Sequence, residues 1–139
     1  MELKTRSNTF RKNERLYSRS LIEQLFAGQS TSFTAWPLRV VFLLVDDKKE
    51  QSASNVELLI SVSKRYFKHA VDRNRVKRQV REAYRTNKEL LQGAMSGQPG
   101  KRLLVAMIWQ DAHLHSSAKV GNKVQVLLRR VAEKLGGNE

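Results

Sequence analysis

The chain has 139 residues, 40% of them hydrophobic, no cysteine, and a formal net charge of +13 from 26 basic and 13 acidic side chains. That length suits one domain and that apolar fraction a real core, while the missing thiols exclude a disulfide framework, a thiolate zinc site and a cysteine nucleophile. So large an excess of one sign opposes compaction unless a polyanion offsets it, which makes nucleic acid the first partner to consider and an anionic membrane surface the second.

The charge is concentrated. Residues 1–19 carry six basic and two acidic side chains, a net of +4, and residues 64–88 carry ten and two, a net of +8. The remaining sequence is nearly neutral, the pattern of a docking surface on an ordinary body rather than of general solubility. Residues 1–15 have few apolar anchors and read as a basic flexible arm, leaving 16–139 as a single domain. The arm lacks the apolar run of a secretory signal. The apolar stretches Val40–Val45 and Leu103–Trp109 are too short to span a bilayer. A cytoplasmic protein without membrane contact is expected.

Ser20 and Glu23 have capping-box spacing at the start of a short helix whose stripe is Leu21, Ile22, Leu25 and Phe26, with Gly28 placed to end it. Trp36-Pro37 marks the entry to a strand, Val40–Val45. The polar connection 46–55 then leads to a second strand, Val56–Val62, and the pair reads as an antiparallel hairpin with a long loop. From about Ala70 the pattern is helical, with an apolar stripe of Val76, Val80, Ala83 and Tyr84, and with Asp72 near the positive end of the helix dipole. Gly93, Gly97, Pro99 and Gly100 read as a loop. Leu103–Trp109 is a third apolar strand. Ser116 or Ser117 can cap a last helix, in which Val120, Val124, Leu127, Leu128, Val131 and Leu135 keep a 3.6 period until Gly136-Gly137.

The basic block 64–88 carries the chemistry. On a helix Arg73, Lys77, Arg81 and Arg85 recur every fourth residue, with Arg75 and Arg78 beside them, so a cationic ridge can coexist with the apolar stripe. Arginine dominates, and its planar fork can grip phosphate oxygens in pairs or stack on bases. Few acids balance the run, which separates it from an ordinary solvated helix face.

Within that block, Ser61-Val62-Ser63-Lys64-Arg65 followed by Ala70-Val71-Asp72-Arg73-Asn74-Arg75-Val76-Lys77-Arg78-Gln79-Val80-Arg81-Glu82 resembles the signature of the bacterial ribonuclease P protein subunit. The order of elements agrees with that family from roughly Asn13 to Leu135. One departure is Tyr66-Phe67-Lys68-His69, where the family often has Gly-Asn before the Ala-Val. The implied fold is α+β, a two-layer sandwich of a small four-stranded mixed sheet with helices in the order α-β-β-β-α-β-α. The implied function is that of a protein partner, one per RNA, of a catalytic RNA that removes the 5′ leader of precursor tRNA, with hydrolysis carried out by the RNA and its Mg²⁺. The protein itself would hold neither catalytic residues nor metal. By that resemblance Lys64, Arg65, Lys68, Arg73, Asn74, Arg75, Lys77, Arg78, Arg81 and Arg85 contact RNA. The family also binds the leader in a cleft between the first helix and the sheet. By position, Leu21, Leu25, Phe26 and Phe42 stand there, although leucine cannot stack on a base as an aromatic ring does and for Leu25 and Phe26 a place in the core is the better reading.

Three other readings compete with this one. A ribosomal protein or other structured-RNA binder shares the charge pattern. A protein-only nuclease would need His113 and His115 as acid and base, with Lys119 near, but the pair reads more simply as two exposed loop histidines without an acidic cluster. A membrane-surface helix would need a broader apolar face than one ending in Tyr84.

Overall fold

The computed structural model describes residues 15–46 and 55–136. In chain order its elements are α1 (Arg19–Leu25), β1 (Thr31–Ala35), β2 (Leu38–Asp46), β3 (Val56–Ser61), α2 (Ala70–Asn87), α3 (Glu89–Met95), β4 (Lys101–Trp109) and α4 (Ser117–Gly136). Of the arm expected over 1–15, only Arg15 lies within the described residues. It forms a parallel bridge with Leu58, and the Leu16 N–H donates to the Leu58 carbonyl at 2.9 Å.

The four strands form one mixed sheet in the order β1-β2-β4-β3. β2 does not pair with β3, which corrects the expected hairpin. β4 lies between them, antiparallel to β2 and parallel to β3. The reason is burial. Leu103, Leu104, Val105, Ala106 and Met107 are each 0% exposed, so β4 needs neighbours on both edges and cover on both faces, and a central position supplies them.

Alternation along the strands divides the apolar residues between two faces. One face carries Val40, Phe42, Leu103, Val105 and Met107 and packs against Val76, Val80 and Tyr84 of α2, Leu91 and Met95 of α3, and the predicted stripe of α4. All six residues of that α4 stripe are buried. The other face carries Val41, Leu104 and Ala106, covered by Leu16 and by Leu25, Leu21 and Ile22 of α1. At 25 cal/mol per Å², each fully buried aliphatic side chain contributes about 1.5–3 kcal/mol.

Two local expectations need correction. The N-cap of α1 is Ser18, whose Oγ accepts the Leu21 N–H at 3.3 Å, so Ser20 lies inside the helix and no Ser20–Glu23 box forms. Gly28 does adopt a positive φ, 106°, just after the helix. The turn-rich segment after α2 begins as a helix. Gly93 sits inside α3, because Leu91 and Met95, one turn apart, both reach the core and their burial outweighs the cost of about 1 kcal/mol for a helical glycine. Finally, Thr31–Ala35 supplies the fourth strand, half-buried in an alternating pattern, and a turn at Trp36-Pro37 joins it to β2. At the other end of the chain, the Ser116 Oγ accepts the Lys119 N–H at 3.2 Å, as a cap for α4 should.

Candidate nucleic-acid interface

Helix α2 is held by its apolar stripe, so what its other faces display follows from about 100° of rotation per residue. Asn74, Arg75 and Arg78 are exposed, and Lys77 and Arg81 are half-buried on one flank. Among the described residues none of these four cations makes an ion pair with a carboxylate. Arg85 differs. Its Nη2 lies 2.6 Å from the Glu82 Oε2 and its Nε 3.2 Å from Oε1, a two-point pair on the helix surface. That pair pulls the Glu82 carboxyl below its ordinary pKa and raises that of the guanidinium.

Arg73 leaves the ridge. It falls on the same side of the helix as Val80 and Tyr84, and its Nη1 donates to the carbonyls of Phe67 at 2.8 Å and Lys68 at 3.1 Å. This gives the Tyr66–His69 turn its structural account. Phe67 is buried in the main core, and Arg73 holds the turn that carries it. His69 is the N-cap of α2 but offers no side-chain cap, so Arg73 is a substitute clamp from within the helix. Lys64, Arg65 and Lys68 are exposed around the same turn, with the Arg65 N–H donating to the Ser63 Oγ at 3.0 Å.

Lys77 and Arg81 face a cleft of about 270 Å³, walled by Arg15, Leu16, Tyr17 and β3 residues Leu58–Ile60. Partial burial, and then the positive charges of Arg15 and Arg78, lower the Arg81 pKa from its ordinary value. A guanidinium stays protonated regardless. The shift reports first the partial loss of water and then the neighbouring cations, both of which an incoming anion would offset.

The residues proposed for a cleft on the α1 side separate. Leu25 is fully buried beneath α1. Phe42 points to the opposite face, with its ring centroid 5.7 Å from that of Phe33, so it cannot meet a ligand lying between α1 and the sheet. Strand alternation gives the reason: Val41 and Leu43 turn toward α1, and Phe42 therefore turns away. Leu21 is half-buried against the α1 side of the sheet. Phe26, at the C-cap of α1, is 48% exposed and is not core. Two further aromatics are exposed, Tyr17 at 60% and Trp36 at 57%, which apolar periodicity does not single out. The signal for Tyr17 was its place between the basic arm and the first helix.

His113 and His115 are not two free loop histidines. Asp111 bridges them, its Oδ2 2.6 Å from His115 Nε2 and its Oδ1 3.1 Å from His113 Nδ1. The His115 contact first, and the His113 contact in addition, lower the Asp111 carboxyl to about 2. His115 is largely buried, edge-on to Trp109 at 5.4 Å, while His113 is 84% exposed. Gln79 of α2 anchors this loop, its Nε2 donating to the His115 carbonyl and the Ser117 Oγ, each at 3.0 Å. Among the described residues no group of three or more His, Asp or Glu is placed to hold a metal ion, and no helix is long and apolar enough to cross a membrane.

Comparison with known proteins agrees with the geometry. The family model described as ribonuclease P matches residues 10–132. The ribonuclease P protein component of Porphyromonas gingivalis is 40% identical over 121 residues, covering 87% of this chain and 85% of that one. The ribonuclease P protein component of Chlorobium phaeobacteroides is 39% identical over 84 residues, covering 60% and 57%. The structure of the ribonuclease P protein from Thermotoga maritima superposes with a TM-score of 0.61 at 25% identity, over 84% of this chain and 96% of that one. With an arginine-rich helix presented on the expected four-stranded sheet, and with the family's signature running through that helix, the chain belongs to the bacterial ribonuclease P protein family.

Proposed function

We propose that the chain docks on the catalytic RNA of ribonuclease P through the outer face of α2, binds the 5′ leader of precursor tRNA beside α1, and thereby assists removal of that leader in the cytoplasm, one protein per RNA. The observation that carries this reading is the set Arg75, Lys77, Arg78 and Arg81, held on a buried helix without a carboxylate partner among the described residues. Desolvated against a folded RNA, each can replace a condensed counterion at a phosphate. Arg73 acts from behind, through the turn it clamps. Lys64, Arg65 and Lys68 extend the contact along that turn, and Arg85 joins once Glu82 releases it.

For the leader, the exposed ring of Phe26 and the half-buried Leu21 replace the wider set of Leu21, Leu25, Phe26 and Phe42, with Tyr17 at the mouth of the cationic cleft. Hydrolysis belongs to the RNA. Mg²⁺ held by that RNA would supply the activated water, and the chain supplies positive charge and shape. On this reading His113 and His115 have no role in hydrolysis and serve the loop in which Asp111 joins them.

Reconstitution tests the reading. The chain, its cognate RNA subunit and a precursor tRNA are mixed, and 5′ processing is followed against Mg²⁺. The chain is expected to lower the Mg²⁺ needed for correct cleavage, while protein without RNA cleaves nothing. Cleavage by RNA-free protein, or an unchanged Mg²⁺ requirement, would sink the proposal.

A further inference from the structure

The α1 side of the sheet is not covered along its whole length. On β4 that side carries Leu104, Ala106 and Ile108. The first two have no exposure, whereas Ile108 is half-buried. The cover given by Leu21, Ile22 and Leu25 therefore ends beyond Ala106. The register places what lies past it. Ile108 stands between Ser61 of β3 and Arg39 of β2, and Arg39 stands opposite Thr34 of β1. Arg39 is two residues from Val41, which belongs to the cluster under α1, so its side chain leaves the strand on the same side. Thr34 and Ser32, the neighbours on β1, are exposed, and Arg39 is half-buried. The open end of this face is thus one guanidinium among hydroxyls and an isoleucine.

An arginine has donors to place and no acceptor of its own. Among the described residues the partner of Arg39 is the Ser32 Oγ, 3.5 Å from Nη2, which is the outer limit of a hydrogen bond. The acids of the surrounding elements are engaged or turned elsewhere. Glu57 stands opposite Leu104, toward the other end of the sheet, and pairs with Arg102 at 3.1 Å. Glu23 of α1 is exposed, and Asp111 is held by His113 and His115. None of the three makes an ion pair with Arg39. Position narrows what can meet it. The cleft of Tyr17, Lys77 and Arg81 opens at the β3 edge, and Leu59 lines both that cleft and the α1 side of the sheet. A single strand that leaves the cleft along the flank of α1 crosses Ser61, then Ile108, then Arg39, at about 4.8 Å per strand.

We infer that Arg39 is a specificity-determining residue for the leader: from the floor of the sheet its guanidinium reads the edge of one leader base and selects guanine. The inference rests on the leader-binding role proposed for the α1 side and adds to it the base that is chosen. Guanine sets two acceptors, O6 and N7, side by side, and the arginine fork binds them as a pair. Adenine sets a donor beside its N7, and cytosine presents a donor on the matching edge. A single-stranded leader leaves these edges open to a side chain.

The test is binding of precursor tRNA to the complex of the full chain with the RNA subunit of ribonuclease P. The leaders carry guanine, adenine, cytosine or uracil at each position in turn. The wild type is expected to show one position at which guanine binds about fivefold to tenfold more tightly than adenine. Arg39→Gln should bring the four bases at that position to within about twofold of one another. Arg39→Lys keeps the charge and the alkyl stem but loses the fork. It guards against a folding defect and should lose the preference as well. A guanine preference that survives both variants would overturn the inference, as would a wild type indifferent to base at every position. An equal loss for all four bases with the preference kept would make Arg39 a phosphate contact and overturn it too. Equal binding of leader-bearing and leaderless tRNA by the wild type would overturn the leader reading itself.

Discussion

Arg73 and Arg78 are five residues apart on one helix and should fail in opposite ways. Arg73 donates from Nη1 to two main-chain carbonyls, Phe67 at 2.8 Å within partly buried surroundings and Lys68 at 3.1 Å nearer solvent. A hydrogen bond from a charged donor contributes about 1.5–3 kcal/mol, and the exposed second one adds little. Arg73→Ala is thus expected to cost about 2 kcal/mol. At roughly 4 °C per kcal/mol for a chain of this size, Tm should fall by about 8 °C. Arg78 makes no such bond, and its removal relieves crowding on Arg81, so Arg78→Ala should leave Tm within about 2 °C. RNA binding reverses the order. Arg78→Ala should weaken it about fivefold to tenfold and lower the salt slope by about 0.7–0.9, whereas Arg73→Ala, assayed well below its Tm, should bind within about threefold of wild type. Circular dichroism melting and filter binding on the two variants decide the matter. An unchanged Tm for Arg73→Ala together with an RNA defect equal to that of Arg78→Ala would refute the division into clamp and ridge.

Other expectations can be checked on single variants. Val80→Ala, at a position with no exposure in the main core, should cost about 2–3 kcal/mol in chemical denaturation without altering the salt slope of the folded protein. Asp111, held at about 2 against an ordinary 3.8, contributes stability that is full above about pH 4 and is lost as pH falls from there toward 2. The displacement corresponds to at most about 2 kcal/mol, and Asp111→Asn should flatten that acid limb in a pH series of melts. Phe26→Ala should weaken binding of leader-bearing precursor by about 1–3 kcal/mol, the value of one stacked base, and leave leaderless tRNA unaffected. Phe42→Ala should instead lower stability by about 3–5 kcal/mol with no leader-specific effect.

The helices were largely legible because their apolar residues report one face each. Val76, Val80, Ala83 and Tyr84 on α2, and the six-residue stripe of α4, were all read from spacing and are all buried. Strand order was not legible. Val40–Val45, Val56–Val62 and Leu103–Trp109 are alike in composition, and only the need to bury both faces of β4 places it between the others. Within the candidate site, periodicity located the cationic helix but not what each guanidinium touches. Arg73 and Arg78 belong to one run, yet a buried turn reclaims the first. Phe42 illustrates the limit for the leader cleft, since a one-residue step along a strand exchanges faces. Asp111 escaped notice because its significance lies in two partners, His113 and His115, that only the folded loop brings to one carboxylate.

The central claim is that Arg75, Lys77, Arg78 and Arg81 of α2, without a carboxylate partner among the described residues, meet RNA phosphates, and the salt dependence of binding to the ribonuclease P RNA tests it most directly. With about five phosphates engaged, the account predicts a slope of about −4 in log K against log salt, a loss of more than about a hundredfold between 50 and 200 mM, and a slope shallower by nearly two in Arg75→Ala with Arg78→Ala. A flat response, or the same slope in wild type and the double variant, would contradict it.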